Sequence, residues 1–468
     1  MEASVSLSPR TKQLALIATI LGSSIAFIDG TVVNVALPAI QHDLGGGLAA
    51  QQWIVDAYLL TLGSLILVGG SLGDIFGEVR MFTLGVTLFG LASALCAAAP
   101  DSTTLIVFRG IQGVAGALLT PASLAVITST FTGDERGAAI GTWTAWSSIS
   151  TVIGPLLGGW LIGITSWRVI FLFNVPIAIA TIVLVRTHLA RDTRARKAVR
   201  VDVAGAALCV AGLGTLVFGF IEQPRLGWAQ PGVAGTIAGG AALLAAFVIY
   251  ESRTAMPMLP LHLFKSRNFS VTNVETFAVY GGLSAWGFFL TLFLQQIAGY
   301  SPFRAGLALI PLTIAVFLLS RYVGRLSIRF GPRIFMAAGP LLGAVSILAL
   351  ARLPEHLNYW VDLLPPLVGF AIALSLIVAP LTTTVLNDAG PGDAGIASGI
   401  NNAVARVAGL IAIAAVGVAA AGSTDHLSTQ GFHRAMLVVA ILLAIGGLLG
   451  AVGIVNPPRR EREAPAPA

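Results

Sequence analysis

The stretch Gly70-Ser-Leu-Gly-Asp-Ile-Phe-Gly-Glu-Val-Arg80 is matched, later in the chain, by Gly324-Arg-Leu-Ser-Ile-Arg-Phe-Gly-Pro-Arg333. Both read G-x-L-x-x-x-F-G, and each follows an apolar run, so we predict that both lie in short loops on the cytoplasmic side of a membrane. The second copy comes eight apolar runs after the first. This repeat predicts two parallel six-helix halves, an architecture typical of transporters, with two further helices inserted between them.

The apolar runs give the number of membrane crossings. A helix needs about 20 mainly apolar residues to cross about 30 Å of hydrocarbon. We predict an all-α polytopic membrane protein with fourteen transmembrane spans, numbered here in chain order. The spans are 14–38, 53–72, 81–99, 104–129, 138–163, 167–189, 203–221, 231–250, 270–296, 304–320, 334–351, 360–381, 396–421 and 433–455.

The distribution of basic residues tests this count, because lysine and arginine concentrate in cytoplasmic loops. With the N-terminus inside, 20 of the 27 basic residues fall in cytoplasmic segments, five fall outside and two lie within spans. Omitting any one span would spoil this separation, so both termini are predicted to be cytoplasmic. The predicted domains are a six-helix bundle at 1–190, spans 7 and 8 with their linkers at 191–269, a second bundle at 270–458 and a cytoplasmic tail at 459–468.

Composition excludes several classes of protein. Hydrophobic residues make up 56% of the chain, charged residues only 10%, and the mean hydropathy is +0.87, unlike a soluble domain. The net charge of +6 reflects the basic residues concentrated in the predicted cytoplasmic segments, so no nucleic-acid partner is expected. Cys96 and Cys209 lie in apolar runs and form no disulfide framework or metal set. Because the chain has no G-x-x-x-x-G-K-[ST] loop, we expect no ATP hydrolysis of that kind. We also expect no cofactor and no metal.

Charged side chains inside a bilayer are costly and are therefore candidates for function. A carboxyl group in a low dielectric favours its protonated form, and a nearby arginine opposes this, so a change in their pairing can move a proton. We predict that Asp29, Asp56, Arg109 and Glu275 carry proton coupling. The alternative is a fixed ion pair that only holds helices together. The six histidines fall in loops or at span ends and are not expected to relay protons.

Six motifs lie in order along the chain, and together they resemble the fourteen-helix drug:proton antiporter family of the major facilitator superfamily. Five of them lie in or next to spans 1, 2, 4, 5 and 6, and the sixth is the Gly70–Arg80 stretch, which resembles motif A. The five are Ile28-Asp-Gly-Thr-Val-Val-Asn-Val-Ala-Leu-Pro38, Trp53-Ile-Val-Asp-Ala-Tyr-Leu-Leu60, Arg109-Gly-Ile-Gln-Gly113 (motif B), Gly154-Pro-Leu-Leu-Gly-Gly159 (motif C) and Trp167-Arg-Val-Ile-Phe-Leu-Phe-Asn-Val-Pro176.

The resemblance covers nearly the whole chain and implies the major facilitator fold. It also implies export of hydrophobic, often cationic compounds in exchange for protons across a bacterial inner membrane. Asp29 and Asp56 would then face a central cavity, and Arg109 would serve proton linkage.

Motif A would supply the gating residues Gly70, Asp74, Gly77 and Arg80, with Asp74 as an anionic latch at a helix end. The chain departs from the family here, because Glu78 and Val79 stand where basic residues are usual. In the second copy Ile328 stands where the acid would be. These departures predict a weaker or differently paired latch.

Motif C contributes Gly154, Pro155, Gly158 and Gly159, which permit close helix approach and loosen the helix ladder. That composition suits a rocking contact between the halves, although ordinary tight packing would also explain it.

Residues for the substrate cavity are predicted on spans 9 and 13. Span 9 is rich in aromatic residues, which suit flat or cationic ligands but are also usual at lipid-facing positions. We predict that Tyr280 and Trp286 contribute to the cavity. Asn402 and Arg406 resemble the family's pattern in span 13 and are assigned to the same cavity.

The leading hypothesis is a proton-coupled exporter of small amphipathic compounds, including cationic ones. It would act as a monomer in the lipid bilayer and would not be an enzyme. The alternative is a narrow-range exporter of an endogenous metabolite or antibiotic, conferring self-resistance. A membrane sensor is expected to carry a soluble appendage, and only ten residues follow Pro458. A membrane enzyme is expected to show clustered polar residues at one interface, and none is evident.

Overall fold

The computed structural model describes residues 8–189, 201–388, 394–421 and 426–456. All regular elements in these ranges are helical, and no strand occurs within them. Two π-helical segments, Phe293–Ile297 and Tyr359–Leu363, adjoin α10 and α14, and a 3₁₀ helix, Leu261–Lys265, precedes α10. The α-helices are α1 (Pro9–Leu44), α2 (Gly47–Phe76), α3 (Glu78–Ala98), α4 (Ser102–Thr130), α5 (Gly133–Ile164), α6 (Arg168–Leu172), α7 (Asn174–His188), α8 (Val203–Leu226), α9 (Pro231–Glu251), α10 (Arg267–Leu292), α11 (Pro302–Ala308), α12 (Ile310–Phe330), α13 (Pro332–Leu350), α14 (Leu364–Asp388), α15 (Ala394–Ala420) and α16 (Thr429–Gly453).

The helices confirm the predicted fold class. Within the described residues, thirteen helical stretches are long and apolar enough to cross a membrane, and a shorter apolar stretch, Ile153–Ile164, lies in α5. Together these coincide with the fourteen predicted spans. The helices α6 and α7 form span 6, and α11 and α12 form span 10.

The two copies of the repeat lie mainly in helices, so their prediction as loops was wrong. Residues 70–76 form the last two turns of α2, and residues 324–330 end α12. The turn between α2 and α3 is the single residue Gly77, and the turn between α12 and α13 is the single residue Gly331. Their φ angles of 101° and 85° lie in the left-handed region that favours glycine. The prediction failed because a helix can continue past the hydrocarbon boundary until a residue of this kind ends it.

The chain divides into two compact units, each described here by itself. The first comprises Met1–Val210, Thr254–Met258 and Ser301–Phe303. In this unit α1 packs on α4, α5 and α7, and α2 packs on α4. The α2–α4 contact is very close, since a Cβ on Gly69 would lie 2.7 Å from the carbonyl carbon of Ala117. Small residues thus bring backbone against backbone, as is common between membrane helices.

The second unit comprises Ala211–Arg253, Leu259–Tyr300 and Arg304–Ala468. Within it α8 and α9 pack as a hairpin, where a Cβ on Gly240 would lie 2.5 Å from the backbone nitrogen of Leu216. The helices α10, α13, α14, α15 and α16 pack together in the same unit. The domain limits at 190/191 and 269/270 stay predictions, and the tail at 459–468 lies outside the described residues.

The C-terminal end of α16 is held by side chains from α10 and α13. Arg267 donates from Nε to the carbonyl oxygen of Gly453 at 2.9 Å and from Nη2 to that of Val452 at 2.9 Å. Arg333 donates from Nε to the carbonyl oxygen of Ala451 at 2.7 Å. The last carbonyls of a helix have no partner within it, and a positive charge there is favourable. The two arginines therefore cap α16 from neighbouring helices.

The loop before α4 carries a capping carboxylate. Asp101 Oδ1 accepts a hydrogen bond of 2.8 Å from the backbone N–H of Thr104. This bond stabilises the charged form, so the pKa of Asp101 lies below its usual value. Asp101 thereby fixes the start of the helix that carries Arg109.

Candidate functional site: a buried charged network

The first unit contains an ion pair that is closed off from solvent. Asp29 of α1 and Arg109 of α4 are 0% and 1% exposed. The Nη1 atom of Arg109 lies 2.5 Å from Oδ2 of Asp29. The structure thus brings together two of the four residues predicted for proton coupling.

Arg109 is fixed by further contacts. Its Nε donates to the carbonyl oxygen of Ile54 at 3.0 Å, and Nη1 also donates to Oε1 of Gln112 at 2.5 Å. The guanidinium carbon lies 4.3 Å from the ring centroid of Tyr58, within the range of a cation–π interaction. The arginine is thus held by side chains and backbone of α2 and α4.

Asp29 is held equally closely through its second oxygen. Oδ1 accepts hydrogen bonds from Nε2 of Gln112 at 2.9 Å and from Nδ2 of Asn174 at 3.2 Å. The same two amide groups donate to Oγ of Ser93 at 2.8 and 2.9 Å. Side chains from α1, α3, α4 and α7 therefore close one buried polar network. Burying two charges costs several kcal/mol per ion, and hydrogen bonds of this kind offset part of that cost.

Sequence reasoning did not assign Gln112, Asn174 and Ser93 to the site. They carry no charge, so the search for charges inside spans passed over them. A signal was present for Gln112, which lies three residues after Arg109 and hence on the same helical face. Asn174 stands in an otherwise apolar run of span 6.

Asp56 of α2 lies apart from this network. It is 0% exposed, and neither carboxylate oxygen has a hydrogen-bond partner among the described residues. The carbonyl oxygen of Ile54 accepts a hydrogen bond from Arg109. Asp56 lies two positions after Ile54, so the side chains of Ile54 and Asp56 lie on different faces of α2. An unsatisfied buried carboxyl group is unusual and marks a candidate for a functional role.

Glu275 lies in the second unit, on α10. It is also 0% exposed, and its two carboxylate oxygens have no hydrogen-bond partner in the described part of the chain. A Cβ on Gly450 of α16 would lie 3.1 Å from its Oε2 atom. The carboxyl group therefore occupies a space left by a glycine of the neighbouring helix.

Motif A lies at the end of α2 and the start of α3. Gly70 and Asp74 are in α2, where Asp74 is exposed. Gly77 forms the turn, and its backbone N–H donates to the carbonyl oxygen of Gly73 at 2.9 Å. Arg80 lies in the first turn of α3 and is exposed. No hydrogen bond or ion pair of the Asp74 side chain occurs within the described ranges, so its role as a latch stays a prediction.

Motif C brings α5 against α1. A Cβ on Gly154 would overlap Oγ1 of Thr31 and lie 3.2 Å from the carbonyl oxygen of Ile28, and a Cβ on Gly158 would overlap the Val32 side chain. Gly159 approaches another segment of the first unit, since its Cβ would lie 2.6 Å from the carbonyl oxygen of Pro302. Pro155 lies inside the helix between these glycines. These residues therefore act, at the least, as close packing contacts.

We expect Gly154→Ala to lower the stability of the purified protein by roughly 1 kcal/mol, because the added methyl group forces Thr31 to move. Thermal unfolding in detergent, followed by tryptophan fluorescence, measures this. Gly163→Ala is the matched control, since a Cβ at Gly163 would meet no atom within 4 Å. Equal unfolding temperatures for the two variants would contradict the packing role.

Two of the four residues predicted for the substrate cavity line one cleft in the second unit. This cleft of about 110 Å³ lies between α10, α14 and α15, and its polar lining is formed by Tyr280, Thr382, Ser398, Asn401 and Asn402. Arg406 is not among the lining residues, but it directly follows Ala405 of α15, which is one of them. Trp286 does not line this cleft. It is buried and packs on Phe370 with the ring centroids 4.7 Å apart.

Comparisons with known proteins place the chain in a family. The sequence model of the Major Facilitator Superfamily matches residues 19–413. The Puromycin resistance protein pur8 of Streptomyces alboniger is 35% identical over 451 residues, covering 93% of this chain and 88% of that protein. The Methylenomycin A resistance protein of Streptomyces coelicolor is 33% identical over 456 residues, covering 97% and 94%.

A solved structure agrees at the level of the fold. The crystal structure of an auto-inhibited POT family peptide transporter superposes with a TM-score of 0.71 at 15% identity, covering 98% of this chain and 99% of that chain. The fourteen apolar helical stretches, the match of the sequence model and these relatives lead to one conclusion. The chain is a multi-pass membrane protein that belongs to the major facilitator superfamily, whose members carry small molecules.

Proposed function

We propose that the protein is a proton-coupled antiporter that exports small amphipathic compounds by alternating access. The observation that carries the proposal is the fully buried Asp29–Arg109 pair, closed by Gln112, Asn174 and Ser93. Apolar side chains of similar volume often stabilise a buried position better than an ion pair does. A pair kept at such a cost inside apolar helices therefore favours a role in function.

Proton coupling in this proposal works through the pairing of Asp29. When Asp29 accepts a proton, its attraction to Arg109 weakens, and the contact between α1 and α4 loosens. When the proton leaves, the pair forms again. Asp56 and Glu275 are further carboxyl groups inside the spans that can take part. One proton that crosses about 100 mV supplies about 2.3 kcal/mol for export.

The relatives support two ranges of substrate. One relative is named a Multidrug resistance protein, from Mycobacterium tuberculosis, which favours broad export of drugs and toxic compounds. Others are named for one antibiotic each, puromycin and methylenomycin A. The second candidate is therefore a narrow-range exporter of one metabolite or antibiotic, which protects the cell that makes it.

The remaining parts of the proposal concern placement. The bacterial relatives support insertion in a bacterial inner membrane, and the separation of basic residues supports the placement of both termini in the cytoplasm. We propose two bundles, 1–190 and 270–458, joined by the inserted segment 191–269. The protein would act as a monomer in the lipid bilayer, as a carrier and not as an enzyme.

Inside-out membrane vesicles that contain the protein test the proposal. The vesicles are energised to acidify their interior and offered amphipathic dyes of both charges, including ethidium and fluorescein. We expect at least one dye to accumulate beyond the level in vesicles without the protein, and an uncoupler to abolish this accumulation. Accumulation that survives the uncoupler would contradict proton coupling. No accumulation of any dye, despite confirmed insertion, would favour the narrow-range exporter.

A further inference from the structure

The cleft between α10, α14 and α15 is built for hydrogen bonding. Tyr280, Thr382, Ser398, Asn401 and Asn402 line it with hydroxyl- and amide-bearing side chains. The Nδ2 atom of Asn402 also donates to the carbonyl oxygen of Ser398 at 3.1 Å. Asn401 is anchored, because its Nδ2 donates to Oγ1 of Thr276 at 2.8 Å and to Oδ1 of Asn273 at 3.3 Å. Asn402 and Thr382 remain exposed. The cleft therefore offers polar groups at fixed positions to a ligand.

Arg406 adds a positive charge beside this cleft. Ser398, Asn402 and Arg406 follow one another at intervals of four residues and so share one face of α15. Arg406 also directly follows Ala405, which lines the cleft. Arg406 is half-buried, and no carboxylate of the described residues lies within ion-pair distance of it. An arginine inside a membrane span without a counter-ion is costly, and a bound anion would compensate for that cost.

No described carboxylate of the second unit lines the cleft. Glu275 faces Gly450 of α16, while the cleft lies toward α14 and α15. Asp388, at the end of α14, accepts a hydrogen bond of 2.6 Å from Oγ of Ser266. The other described carboxylates of this unit lie at or near helix ends and in loops, at Glu222, Glu251, Glu355 and Asp362. None of these carboxylates is among the residues that line the cleft, whereas Arg406 directly follows the lining residue Ala405.

We infer that this cleft binds an acidic group of the exported compound, a carboxylate or a phenolate, through Arg406 with Tyr280 and Asn402. The inference rests on the proposed export function and assigns its substrate class. A guanidinium can hold a carboxylate through two parallel hydrogen bonds, and the amide of Asn402 can donate a further one. The volume of about 110 Å³ accommodates the acidic end of a ligand, while the rest of the molecule extends beyond the cleft.

The test compares two dyes with one scaffold and opposite charges, fluorescein as the anion and rhodamine 6G as the cation. Uptake is measured in inside-out vesicles with an acidic interior and with the membrane potential clamped by valinomycin and potassium. Binding to the purified protein is measured separately by fluorescence polarisation. The variants are Arg406→Gln, which removes the charge, and Arg406→Lys, which keeps the charge but not the planar fork.

We expect wild type to bind and transport fluorescein in preference to rhodamine 6G. Arg406→Gln should raise the KM and Kd for fluorescein at least about tenfold, equivalent to about 1.4 kcal/mol, and should raise the KM and Kd for rhodamine 6G by a smaller factor or lower them. The KM and Kd of Arg406→Lys for fluorescein should lie between those of wild type and those of Arg406→Gln. Intact folding of each variant is verified by its unfolding temperature.

The outcomes separate this inference from the proposed function. Uncoupler-sensitive uptake of rhodamine 6G with no effect of Arg406→Gln on either dye would overturn the anion site and keep the proton-coupled exporter. Fluorescein binding that depends on Arg406, without uncoupler-sensitive uptake, would keep the anion site and contradict proton coupling. Equal fluorescein affinity in wild type and Arg406→Gln would overturn the inference even if transport persists.

Discussion

Replacement of Arg109 by leucine is expected to destabilise the protein by about 3–5 kcal/mol and to abolish proton-driven uptake. The substitution leaves the Asp29 carboxylate buried at 0% exposure without its counter-ion, and uncompensated buried charges carry a penalty of this size. Thermal unfolding of the purified protein and uptake by energised vesicles measure the two effects. Asp29→Asn leaves Arg109 without its counter-ion instead, and it should slow uptake by at least about tenfold.

The double variant Asp29→Asn/Arg109→Leu distinguishes a coupling role from a structural one. Because both charges are gone, its stability should exceed that of the Arg109→Leu single variant, while uptake remains absent. Arg168→Gln is a control in the same unit, since its partly exposed guanidinium lies 3.7 Å from Asp43 and such pairs contribute about 0–1 kcal/mol. Recovery of uptake in the double variant would mean that the pair serves folding alone.

Gly113→Ala should destabilise the contact between α2 and α4 by about 1–3 kcal/mol. The added Cβ would overlap the carbonyl oxygen of Tyr58 and Oγ1 of Thr61, and it would lie 3.1 Å from the carbonyl carbon of Tyr58. The Thr61 side chain can rotate, but the backbone carbonyl cannot yield unless the helices separate. Because Arg109 precedes Gly113 by one turn, the separation of α2 and α4 should also weaken the charged network and lower uptake.

The control for this prediction lies on the same helix. Gly110→Ala places a Cβ where no atom lies within 4 Å, so we expect no loss and a small gain from the higher helix propensity of alanine. The unfolding temperatures of the two variants, measured side by side in one detergent, test this difference in stability. A Gly113→Ala protein as stable as Gly110→Ala would contradict the packing described for α2 and α4.

The charged part of the site could be predicted because charge inside an apolar span is rare. Asp29 and Arg109 were found by that rule, and the structure brings them within 2.5 Å of each other. Their neutral partners could not be found in this way, since amides and hydroxyls are tolerated in many membrane helices. Only the three-dimensional crossing of four helices shows that Asn174 reaches the same carboxylate as Gln112.

Hydropathy predicted the number and order of the helices, but not their ends and interruptions. Hydropathy reports where a helix leaves hydrocarbon and not where its hydrogen bonding stops, so the prediction ended span 10 ten residues before α12 ends at Phe330. The break between α6 and α7 at Phe173 comes three residues before Pro176, and the break between α11 and α12 at Leu309 comes two residues before Pro311. Each proline lacks the N–H that would bond the carbonyl four residues earlier, a signal that hydropathy does not carry. Hydropathy alone therefore gave no signal for the two breaks.

The capping of α16 by Arg267 has a consequence for the order of events during synthesis. The carbonyl of Gly453 lies 186 residues after Arg267 along the chain. At roughly 5–20 residues per second, the ribosome delivers that carbonyl about 10–40 s after the arginine has left the exit tunnel. During this interval α10 waits in the translocation machinery or the lipid without its final neighbour. A nascent chain stalled before α16 would thus present an unfinished second bundle to the quality-control proteases of the membrane.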